Sequence, residues 1–87
     1  MTKKEIKSAI NKAVYIYAES LGYDMSDDGM GGSVTFYKPD RTDAYDSIDY
    51  HRSEHETCVV NWTNDQIKAD AELIDVFANE QKRMYEQ

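Results

Sequence analysis

Apolar residues along the chain fall into two helical stripes separated by shorter alternating runs. Ile6, Ala9, Ile10, Ala13, Val14, Tyr17, Ala18 and Leu21 recur every three or four residues, which puts them on one face of a helix over about 3–21. Thr2 and Glu5 stand at capping-box spacing before it, and Gly22 supplies a residue that takes the left-handed conformation without a Cβ clash. A second stripe, Ile67, Ala71, Ile74, Phe77 or Ala78, and Tyr85, widened by Leu73 and Val76, predicts a helix over about 64–85. Thr63 and Gln66 repeat the capping spacing, and Asp65 sits where the helix dipole favours an anion.

Between the helices the period changes to two. Val34 and Phe36 alternate with Thr35 and Tyr37, predicting a half-buried strand over 33–38 that Pro39-Asp40 turns away. The run 57–62 predicts a strand with Cys58, Val60 and Trp62 on one face. Residues 44–52 fit a strand with Ile48 and Tyr50 inward, although Asp43, Asp46 and Asp49 also fit a short helix over 42–49. Residues 24–33 read as an acidic, glycine-rich loop. The expectation is a single α+β domain over 1–87: a three-stranded antiparallel sheet flanked by an N-terminal and a C-terminal helix, in the order α-β-β-β-α. Its core is expected to include Ile10, Val14, Phe36, Val60, Ile74 and Phe77.

Composition narrows the class. At 87 residues the chain makes one modest core, which excludes a multidomain enzyme with a deep active site. Cys58 is the single cysteine, so no internal disulfide forms and a reducing cytoplasm is expected. The basic start, Lys3-Lys4-Glu5-Ile6-Lys7, has no apolar run behind it, and no stretch reaches membrane-span length.

The net charge of −7 argues against direct nucleic-acid binding, and it is unevenly spread. Residues 1–23 carry +2, residues 24–56 carry −6 and residues 57–87 carry −3. The acidic middle interleaves aspartates with Tyr37, Tyr45 and Tyr50, the mixture of charge and aromatic surface that anchors protein interfaces. Asp40, Asp43, Asp46 and Asp49, with Tyr45 and Tyr50, are therefore the candidate partner-binding residues, and Asp24, Asp27 and Asp28 form a second patch. The competing reading is a charged edge that resists aggregation.

Three motifs suggest chemistry and fail on context. His51-Arg52-Ser53-Glu54-His55 matches H-x-x-E-H, but it falls at a strand end and hairpin loop, where two histidines do not share a helical face. Asp24-Met25-Ser26-Asp27-Asp28-Gly29 opens like a calcium loop, yet Thr35 stands where the bidentate glutamate belongs. Cys58 near His51 or His55 reads as a small core residue rather than a nucleophile. No enzyme activity, cofactor or metal is expected.

The order α-β-β-β-α resembles the double-stranded RNA-binding domain. That family holds phosphates with lysines at the start of its second helix, whereas this chain has Asn64-Asp65-Gln66-Ile67-Lys68-Ala69-Asp70 there. In size, acidity and sheet-plus-helix make-up, the chain is similar to small phage-encoded inhibitors of the anti-CRISPR and anti-restriction type. The resemblance is one of overall character. It implies a protein that mimics DNA and occupies the basic groove of a nucleic-acid enzyme, working in a host cytoplasm. The alternatives are a non-inhibitory adaptor, an antitoxin-like regulator or a homodimeric interaction module, and, more remotely, a metal-dependent enzyme using His51 and His55.

Overall fold

The computed structural model describes residues 2–27, 32–38, 46–52 and 57–86. Helix α1 (Lys3–Ser20) opens as its sequence predicts, with Thr2 Oγ1 accepting from the Glu5 backbone N–H at 3.1 Å. It closes on Gly22, whose φ of 94° lies in the left-handed region. There Gly22 N–H donates to Glu19 O and Tyr23 N–H to Ala18 O, which together satisfy the last carbonyls.

Four strands follow, not the three that the alternation predicts: β1 (Asp24–Asp27), β2 (Ser33–Tyr37), β3 (Ser47–Arg52) and β4 (Thr57–Trp62). They form an antiparallel meander in the order β1-β2-β3-β4. Strand β1 replaces part of the expected loop at 24–33. All four of its residues are exposed, so it has no apolar period to read; backbone pairing with β2 and the Asp27–Arg52 ion pair hold it in place. The extra strand also separates the chain from the α-β-β-β-α order of the double-stranded RNA-binding domain. Within 44–52, the described residues 47–52 are strand, with Ile48 and Tyr50 buried as expected.

A bulge in β4 corrects the predicted facing of that strand. Asn61 pairs with Asp49 and Val59 with Tyr50, which leaves Val60 as an extra residue. Thr57 is buried, Val59 and Trp62 pack on the core, and Val60 is 57% exposed rather than inward. Cys58 lies opposite His51 on the other face, so it is not an inward core residue. The Val59 N–H donates to Asp75 Oδ1 at 3.1 Å, tying the bulged segment to the second helix.

That helix, α2 (Lys68–Glu86), starts one turn later than its apolar stripe suggests. A 3₁₀ turn (Asp65–Ile67) precedes it, capped by Asn64, whose Oδ1 accepts from Gln66 N–H. Thr63 is not the cap, because its Oγ1 accepts from Ser47 N–H at 2.9 Å across the sheet. Tyr17 stacks on Phe77 at 4.4 Å, while Tyr23 donates to Asp70 at 2.8 Å; the helices are thus antiparallel. Phe77 is half-buried in that stack rather than fully inside. Both helices lie on the sheet face carrying Val34, Phe36, Ile48 and Tyr50, and Ile10, Val14, Ala18, Ala71, Ile74 and Ala78 complete one core.

Candidate functional site: the uncovered face of the sheet

Because side chains alternate across a strand, the residues between the core positions point away from the helices. The strand register aligns them into three rows. Asp24, Tyr37 and Ser47 form the first; Ser26, Thr35, Asp49 and Asn61 the second; Ser33, His51 and Cys58 the third. Every member is polar, small or aromatic, and Asp24 and Asp49 are the only carboxylates in these rows, which hold no Lys or Arg. Thr35 Oγ1 donates to Asp49 Oδ1 at 3.2 Å, which fixes that carboxylate near the centre of the face. Tyr37 is exposed at the rim.

The expected partner-binding residues separate in space. Asp24 and Asp49 share the uncovered face. Asp27 points to the helix side and pairs with Arg52 at 2.7 Å. Asp46 is only 4% exposed and Tyr50 is fully buried, so neither presents a surface to a partner. Asp28, Asp40, Asp43 and Tyr45 lie outside the described residues. Among the residues that sequence reasoning did not count as partner-binding, Thr35, Ser47, Asn61 and His51 lie on this face. The alternation Ser33-Thr35-Tyr37 and Ser47-Asp49-His51 carries their signal, as the polar complement of the apolar period.

On the helix side, Arg52 joins Asp27 to the hydroxyl of Tyr15 and lies 5.8 Å from that ring. Burial pushes the Tyr15 pKa above its ordinary value, and the Arg52 hydrogen bond and charge oppose that rise. Burial also raises Tyr50 well above the normal tyrosine range; its hydroxyl donates to Asn11 Oδ1 at 3.3 Å. Among the described residues no three His, Cys, Asp or Glu side chains converge as a metal site. Nor is any described helix long and apolar enough to cross a membrane. Comparison with protein-family models, curated proteins and solved structures finds no match for this chain.

Proposed function

We propose that this is a non-enzymatic binding protein that sets its uncovered sheet face against a basic surface of a partner, and that it inhibits a nucleic-acid enzyme by filling a phosphate-binding groove. The observation that carries this reading is the set of three polar rows with two carboxylates and no Lys or Arg. Small side chains such as Ser26, Ser47 and Thr35 let a partner approach closely, and the exposed Tyr37 supplies rigid contact area. The net charge of −7 adds long-range steering toward a cationic groove.

The test is capture of the partner from host lysate, followed by affinity measurements with and without competing DNA or RNA. Reversing Asp24 and Asp49 to Lys is expected to weaken binding by about 2–5 kcal/mol, since like charges would then face each other at the contact. Reversing Lys3 and Lys4, on α1, is expected to change it far less. Nucleic acid should compete with this protein for the partner. If both bind it simultaneously and independently, the groove-filling reading is wrong and the adaptor reading replaces it.

One observation favours the homodimeric module as a second reading. The outer surface of the helical layer exposes Ile16, Leu73, Val76 and Met84. Sedimentation equilibrium separates the two readings, because the groove-filling inhibitor needs no self-association through that surface.

A further inference from the structure

Glu5 in the first turn of helix α1 suits the helix dipole, but the lysines of that helix do not serve its stability. Lys3 and Lys4 occupy the first turn, where the helix dipole disfavours cations. No carboxylate stands three or four residues from Lys3, Lys4, Lys7 or Lys12, and Lys3 and Lys4 are themselves at that spacing from Lys7. This occurs in a chain with 17 acidic residues, where compensating carboxylates are otherwise plentiful.

The fold converts this stripe into a site. Lys4, Lys7, Ser8, Asn11, Lys12 and Tyr15 share one side of α1, and Arg52 from the end of β3 closes a shallow cleft of about 390 Å³ beside them. Among the described residues, Lys4, Lys7 and Lys12 form no ion pair, while Arg52 is held by Asp27 and Tyr15. Lys4 and Lys12 are eight residues apart, so the cations span roughly 12 Å of helix. The positive end of the helix dipole adds to the same potential.

We infer that this cleft binds an oligophosphate, the phosphate chain of a nucleotide or an inorganic polyphosphate. Lysines serve as point-charge partners for phosphate oxygens, and a row of them suits several linked phosphates better than one isolated anion. The rest of the molecule limits the size of the ligand. A nucleic-acid strand would run past the cleft into the field of a protein with net charge −7, whereas a ligand confined to the cleft meets its cations at short range. This site lies on the helix side of the sheet and does not depend on the acidic face.

The experiment is calorimetric titration of the full chain with sodium tripolyphosphate and, separately, with ATP, at low and at high salt. Saturable binding of both is expected, weakened by salt and reduced about tenfold or more in Lys7→Gln/Lys12→Gln. Equal affinity for the two ligands would assign the contact to the phosphate chain, and tighter ATP binding would add the nucleoside, with Tyr15 and Asn11 beside it. Lys7→Arg/Lys12→Arg keeps both charges and should retain binding, which guards against a misfolded glutamine variant. Lys68→Gln/Lys82→Gln removes equal charge from α2 and should leave binding unchanged. The inference is overturned by absence of saturable binding to either ligand, by an equal loss in the α2 variant, or by an oligonucleotide that outcompetes tripolyphosphate.

Discussion

Ile74 has no exposed surface and sits where α2 meets the sheet and α1. Truncation to Ala removes its packing and leaves a cavity, so chemical denaturation should register a loss of about 2–5 kcal/mol. That is a large share of the roughly 5–15 kcal/mol that holds such domains together. Tyr50 makes a different kind of contribution. Buried beside Asn11, its hydroxyl holds its proton well above the unfolded tyrosine value of about 10. Below that pH both states are protonated and the contribution is intact. As pH rises past it, the unfolded chain loses the proton first and binds fewer protons than the native state, so stability falls. Tyr15, raised by burial as well, acts in the same direction. Thermal melts should therefore drop from about pH 10 upward. Tyr50→Phe should lower the neutral-pH midpoint and flatten the alkaline decline, and an unchanged alkaline slope would assign that decline elsewhere.

At the scale of elements, the bulge in β4 decides which valine matters. Val60 is the unpaired residue and faces water, so Val60→Thr should shift stability by no more than about 0.5 kcal/mol. Val59 packs on the core, and Val59→Ala should cost about 1–1.5 kcal/mol through lost burial. Equal effects in denaturation curves would contradict the register. Both helices were legible because their stripes are long and their termini carry capping residues. The start of α2 was legible only to within a turn, since the capping spacing pointed to Thr63, whereas the cross-sheet bond to Ser47 occupies that hydroxyl and Asn64 is the cap. Strand β1 was not legible, because four exposed residues leave no apolar period in the sequence.

At the scale of the whole molecule, the two carboxylates of the polar rows and the cationic cleft lie on different sides of the sheet. Asp24 and Asp49 face away from the helices, whereas the lysines of α1 and Arg52 gather on the helix side. A basic partner would thus be steered toward one orientation. Its association rate should fall steeply as salt rises, and Asp24→Lys/Asp49→Lys should lower that rate more than it raises dissociation. Stopped-flow binding at several ionic strengths checks this, and a rate indifferent to salt would remove the electrostatic part of the proposal.

What this sequence determined by itself is what depends on neighbours along the chain. Thr2 and Gly22 bound α1, the 3.6-residue stripes set both helices, and the alternation of Val34 with Phe36 and of Ile48 with Tyr50 set two inward strand faces. The aspartates were visible as a series, but spacing alone says nothing about which side of a sheet each one takes. Only tertiary structure buried Asp46, turned Asp27 toward Arg52, and left Asp24 and Asp49 on the open face. The physical reason is the same for the bulge and for the cleft. One extra residue at Val60 resets every side chain beyond it, and Arg52 reaches the lysines of α1 through a contact between residues 37 apart in sequence, with Tyr15. Such contacts are set by packing across the sheet, to which periodicity along one segment is blind.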